Sequence, residues 1–231
     1  MTARARSASL GRADALFIAV ACGVVPFVSL AIVLSAFQAI EHASLAAYLA
    51  SIVKWTALGG GALVLGRRAG MSWDELYLNP RGSFILRRPA STCAVVILFI
   101  ALVNFSLLPR FAAAWDALGL PHARAPYLAM PPTLIGRVLG GMCAFAAAAG
   151  SEILYRGYLR VLAERFFRTW WTAALMVSAV FGWAHGFYGW YLAVYTGLNG
   201  LAFALLARAT GSLYVVILAH MAFDALVFAA G

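Results

Sequence analysis

Residues 133–168 read TLIGRVLGGMCAFAAAAGSEILYRGYLRVLAERFFR, and this stretch decides the fold. From Thr133 to Glu152 it is apolar apart from Arg137, and it has about the 20 residues that a helix needs to cross a bilayer. Glu152 and Arg156 then arrive while the apolar pattern continues, and the helix is expected to run on past Arg160 toward Arg165. A charged side chain at the centre of a membrane helix costs about 2.5–3.5 kcal/mol on insertion scales, so such groups face a polar cavity or one another. The same half of the chain also carries His185, His220 and Asp224 inside apolar segments.

Composition agrees with a membrane location. Of 231 residues, 64% are hydrophobic and 11% charged, and the mean hydropathy is +0.89; soluble domains carry about 25% charged residues. The reading is an all-α, polytopic integral membrane protein. The net charge of +9 comes from 17 basic residues, all but Lys54 arginine. Most of these lie between apolar runs, so they mark topology and anchor headgroups rather than forming a nucleic-acid face. Cys22, Cys93 and Cys143 fall inside apolar segments with no CxxC spacing, which supports neither a disulfide framework nor a zinc ribbon.

Hydropathy predicts about seven crossings, near residues 15–40, 44–66, 90–108, 133–152, 169–187, 188–207 and 211–230. The first is too long for the h-region of a cleaved signal and is read as an anchor. Arginines crowd three places: before the first span, in the loop after the second (Arg67, Arg68, Arg81, Arg87, Arg88), and after the fourth (Arg156, Arg160, Arg165, Arg168). By the positive-inside rule these lie in the cytoplasm, giving an N-inside, C-outside topology in a plasma membrane of bacterial inner-membrane type. The stretch from Pro109 to Pro132 reads as a loop separating residues 1–132, a set of N-terminal helices, from residues 133–231, which carry the polar residues; together they form one integral domain.

Spacing groups those polar residues. Glu152 and Arg156 are four apart, as are His220 and Asp224, so each pair shares one helix face. At 1.5 Å per residue, His220 lies about 14 Å into its span, Glu152 about 20 Å from Arg165, and His185 about 24 Å past Thr169. All three can meet at mid-membrane. Two imidazoles and a carboxylate in a dry cavity can take a proton from water and polarise a carbonyl. The set Glu152, His185 and His220 can equally ligate a metal, although the absence of an HExxH helix favours no particular ion and no cofactor is predicted. Ser151 beside a histidine has no nucleophile elbow around it. Lys54, alone in the second span, snorkels or meets Glu41. The aromatics Trp170, Trp171, Trp183, Tyr188, Trp190 and Tyr191 read as interfacial belts, and Phe181 as core packing.

Ser151-Glu152-Ile153-Leu154-Tyr155-Arg156-Gly157, Phe181-Gly182-Trp183-Ala184-His185 and His220-Met221-Ala222-Phe223-Asp224 resemble, in order, the EExxxR, FxxxH and HxxxN/D motifs of the CAAX protease and bacteriocin-processing family, the type II CAAX prenyl endopeptidase group. The resemblance covers about the last hundred residues. It implies an α-helical intramembrane endopeptidase hydrolysing a peptide bond in a membrane-associated or lipidated substrate. Glu152, His185, His220 and Asp224 would be catalytic, with Arg156, Ser151 and Phe181 in support. The lipid bilayer is the surrounding partner, no nucleic acid is expected, and the oligomeric state is left open.

One departure matters. Ser151 stands where the family has the first glutamate, the one it uses to activate water, and adjacent helical residues point about 100° apart, so Glu152 reaches that place only if the helix is distorted, as Gly150 would allow. The alternative is a catalytically silent descendant acting as a membrane binding, immunity or scaffold protein. The geometric expectation common to both is that Glu152, His185 and His220 face one cavity.

Overall fold

The structure, a computed structural model, describes residues 11–24, 42–79, 88–120, 133–186 and 189–230. Among these all regular structure is helical. Helix α1 (Arg12–Ile18) continues as a π-helical turn (Ala19–Val24) and is followed by α2 (His42–Arg68). Helix α3 (Pro89–Leu102) leads through a π segment (Val103–Leu107) into α4 (Leu108–Ala117), and α5 (Leu134–Glu152) through another (Ile153–Leu159) into α6 (Arg160–Phe167). The chain ends in α7 (Trp170–Trp183), α8 (Trp190–Thr210) and α9 (Leu213–Ala230).

Four continuous helical runs are long and apolar enough to cross a membrane: Tyr48–Arg68, Pro89–Ala117, Leu134–Phe167 and Trp190–Thr210. The apolar helices Trp170–Trp183 and Leu213–Leu226 are shorter; the first, at 1.5 Å per residue, spans about 21 Å of the roughly 30 Å hydrocarbon core. These six correspond to predicted spans, while the span expected near 15–40 is described only as far as Val24. The protein is thus a multi-helix membrane protein with fewer full crossings among its described residues than the seven expected. Outward faces carry bare apolar side chains such as Phe105, 83% exposed, and Leu98, 68% exposed, as lipid contact requires.

The helix ends follow from the sequence. Thr133 caps α5, its hydroxyl oxygen accepting the Gly136 N–H at 3.1 Å, and Thr169 caps α7 by accepting from Thr172 at 3.2 Å. Gly211, with φ +63°, closes α8 in the left-handed conformation that glycine adopts without strain. One boundary differs from the sequence reading. The helix does not stop at Pro109 but runs to Ala117. Proline lacks an N–H and is tolerated in a first helical turn, and the wide turn of Val103–Leu107 immediately before α4 restarts the helix so that Pro109 falls in that first turn.

Two helix pairs pack at glycine contact distance. A Cβ on Gly150 of α5 would stand 2.3 Å from the Trp55 carbonyl oxygen of α2, and one on Gly59 would stand 2.9 Å from the Gly150 Cα. A Cβ on Gly182 of α7 would stand 2.3 Å from the Ala193 carbonyl oxygen of α8. Such small-residue contacts hold membrane helices together where lipid supplies no hydrophobic drive. Gly150 is therefore a packing residue, and the distortion expected of it begins instead three residues later, at Ile153.

The arginine-rich helix ends meet at one face. Between α2 and α3, residues 71–79 fold into a hook in which Ser72 and Glu75 form a reciprocal cap, the Ser72 N–H donating to Oε2 at 2.7 Å and the Glu75 N–H to Oγ at 3.1 Å. Arg160 of α6 donates to the Glu75 carbonyl, Arg165 to the Glu75 carboxylate and the Ala69 carbonyl at 3.0 and 3.1 Å, and the Leu213 N–H at the start of α9 to the Tyr77 carbonyl at 2.9 Å. Partial burial acts to raise the Glu75 pKa, but the Ser72 hydrogen bonds and Arg165 outweigh it and hold the carboxyl below its usual range. Its contribution is therefore complete above its unfolded pKa of about 4.3 and is lost as pH falls through the lower folded value.

Candidate functional site

Glu152 is the last residue of α5, and Arg156 lies in the π segment that follows. Both are enclosed, at 0% and 1% exposure. Their ion pair brings Arg156 Nη1 to 3.2 Å from Glu152 Oε1. The same oxygen accepts the Nδ1–H of His220, 2.8 Å away on α9, and one turn further along α9 the Asp224 Oδ1 lies 3.7 Å from His220 Nε2. The four residues paired by spacing alone are thus one contact chain, Arg156 to Glu152 to His220 to Asp224, joining the α5 run to α9.

His185 enters differently. Its ring nitrogen Nδ1 donates to the Phe181 carbonyl one turn back, at 2.8 Å, and Nε2 takes no part in that bond. Its ring lies edge-on to Phe181 with centroids 4.8 Å apart, and Phe181 meets His220 edge-on at 6.4 Å. Phe181 is also the aromatic wall for Arg156, whose guanidinium carbon lies 4.3 Å from the ring centre. Phe181 thus stands between both histidines and the arginine. On the other side His220 stacks on Phe203 of α8 at 4.8 Å and 22°.

Ser151 is buried at 2% exposure and its hydroxyl donates to the Ala148 carbonyl at 3.3 Å. It thus turns back into its own helix. Among the described residues no group of three His, Cys, Asp or Glu side chains is placed to hold a metal ion. A groove of about 600 Å³ between α2 and α5, lined by Trp55, Gly60, Gly141, Met142, Phe145 and Gly150 among others, is apolar, and none of the polar residues lines it. The three thiols are free.

Several neighbours were not singled out by the sequence reading. Ser178 of α7 and Asn199 of α8 are buried at 4% each, and Gly200 leaves the space beside Arg156, since a Cβ there would stand 2.8 Å from Nη2 and 3.1 Å from the Phe181 ring. Signals existed. Ser178, Phe181 and His185 follow one helix face at spacings of three and four, and Asn199 is the one amide in an otherwise apolar span. Lys54 lies against Trp55, its Nζ 4.7 Å from the ring centre, while Glu41 falls outside the described residues. Aromatics gather near both ends of the helices. Arg208 stacks 4.3 Å over Trp170 at one end, and Trp183 meets Trp190 at 6.4 Å at the other, as belts do; Tyr188 is outside the described residues.

Residues 132–226 match the family model described as type II CAAX prenyl endopeptidase Rce1-like. The resemblance read from the three motifs is thereby borne out over that segment, which contains every residue of the polar chain. No curated protein and no solved structure matches the chain.

Proposed function

We propose that this chain, with residues 132–226 on the Rce1-like pattern, acts as a catalytically silent member of that family: a membrane-embedded binding or scaffold protein for a membrane-associated peptide or helix. The carrying observation is the state of Glu152. Its carboxylate is fully enclosed and its Oε1 is held by both Arg156 and His220, while Ser151, at the motif position of the water-activating glutamate, has no acid–base capacity near neutral pH. A general base must sit within hydrogen-bonding reach of the proton it removes. Here one carboxylate oxygen, Oε1, is already taken by two protein donors, and the side chain as a whole is closed off at 0% exposure. The polar chain then serves as a tie between the α5 run and α9, with Phe181 of α7 and Phe203 of α8 packed against it, so the bundle presents an invariant lipid-facing surface to its partner.

A second reading, hydrolysis of a membrane-associated peptide, draws on the Rce1-like match and on the partial exposure of the His220 and Asp224 side chains, 12% and 24%. In it Glu152 would let go of His220 to accept a proton from water, the imidazoles would donate to the oxyanion, and Asp224 would orient His220.

One experiment separates the two. Wild-type protein reconstituted in vesicles with membrane-anchored peptides is expected to give no cleavage products by mass spectrometry, and Ser151→Glu to create cleavage by restoring the missing carboxylate. Wild-type cleavage that Glu152→Gln and His185→Ala each abolish would establish the enzyme and remove the silent reading. In cells, His185→Ala, which leaves the chain from Arg156 to Asp224 in place, is expected to keep full function under the silent reading.

The orientation belongs to the same proposal. The arginine-bearing ends share one face, and reporter fusions after Arg88 and Arg168 are expected to report cytoplasm, with one at Gly231 reporting the outside. A cytoplasmic signal at Gly231 would overturn the proposed topology.

A further inference from the structure

Arg156 has more hydrogen-bonding capacity than the protein around it uses. A guanidinium offers five N–H donors, yet beyond the Glu152 ion contact none of Nε, Nη1 and Nη2 makes a directed hydrogen bond among the described residues. Three acceptor-capable oxygens are in the same condition: Glu152 Oε2, Ser178 Oγ and Asn199 Oδ1. All four residues are at most 4% exposed.

The residues that carry these atoms gather around one glycine, Gly200, rather than scatter through the bundle. The Cβ position of Gly200 lies 2.8 Å from Arg156 Nη2 and 3.4 Å from the Ser178 Cα, and Asn199 is the residue before Gly200. Glu152 is the arginine's ion-pair partner. Residues with unpaired donors in the π segment and residues with unpaired acceptors in α5, α7 and α8 are thus brought to one junction, each side lacking what the other has. Unpaired polar atoms in a membrane interior are costly, and a poorly compensated guanidinium especially so.

The chemistry of the set selects its ligand. A second anion would leave negative charge in excess, because Glu152 already balances Arg156. A cation would face the guanidinium. An apolar group would leave all six atoms unpaired. A small neutral molecule that both donates and accepts satisfies both sides, and a buried water makes about three hydrogen bonds, so three nitrogens and three oxygens call for roughly two waters. We infer that Arg156, Ser178, Asn199 and Oε2 of Glu152 form an internal water site at the α5–α7–α8 junction, separate from the His220 contact on Oε1. The site hydrates the free oxygen of Glu152 from inside the bundle, and it stands under either reading of the function.

The test uses the full chain, labelled with nitrogen-15 at arginine, in nanodiscs. Magnetisation transfer from water to the Arg156 Nε–H is expected, the resonance being assigned by its loss in Arg156→Lys. In Ser178→Val, Asn199→Leu, which removes two acceptors and fills their space, the transfer is expected to vanish while the helical circular dichroism is kept. An experimental density map that shows ordered waters should place solvent within hydrogen-bonding distance of at least two of the four side chains. If the wild type shows no transfer, or the map shows these side chains hydrogen-bonded directly to one another, the water site does not exist. Should the double variant lose its helicity, the map and the wild-type transfer alone decide.

Discussion

Arg156→Met is expected to lower stability by about 3–5 kcal/mol, the loss seen when one partner of a buried ion pair is removed and the other is left uncompensated. Glu152 would then be a carboxylate at 0% exposure whose remaining polar contact is the His220 ring. The double variant Glu152→Met, Arg156→Met should be far less damaged than the sum of the two single ones, because it leaves no charge behind; apolar replacement of a whole buried pair is often neutral or stabilising. Unfolding in mixed micelles, compared across the four members of the cycle, measures this directly. Additive losses would mean that the two side chains are not coupled, and the polar chain would lose its role as a tie.

The second large effect concerns backbone contact. Gly150→Ala places a methyl 2.3 Å from the Trp55 carbonyl oxygen, 2.8 Å from its carbon and 3.0 Å from its Cβ, and none of these is the end of a flexible side chain. Helices α2 and α5 must separate, at about 1–3 kcal/mol or more for overpacking of this kind. Gly141→Ala, in the same helix, meets nothing within 4 Å and is expected to be neutral or to gain up to about 1 kcal/mol from helix propensity. The difference between these two alanines in the same unfolding assay is the measurement. Equal effects would show that the α2–α5 contact is looser than described.

The helices and the polar chain were legible because they depend on periodicity. Glu152 with Arg156 and His220 with Asp224 follow from four-residue spacing, and the meeting of Glu152 with His220 follows from depth along antiparallel spans. What lay beyond the sequence depends on which neighbour a face meets. Phe181 read as filler, since an aromatic at helix spacing usually is, yet it is the surface shared by both histidines and Arg156. Gly150 read as a point of weakness, whereas its lack of a side chain is used across the interface with α2. Ser178, Asn199 and Gly200 passed unnoticed for the same reason, and the helix through Pro109 could not be foreseen without the π segment before it.

That kind of segment has a mechanical consequence in the α5–α6 run. A π-helical stretch carries i→i+5 bonds where an α-helix carries i→i+4, so Ile153–Leu159 holds slack relative to a regular helix. Taking up one residue of it would turn everything beyond Leu159 by roughly 100° relative to Glu152. Arg160 and Arg165 would swing off the carbonyls of Glu75 and Ala69 that they now grip. The hook at residues 71–79, by holding Arg160 and Arg165, therefore fixes the rotation of α6 relative to the α5 part of the same run.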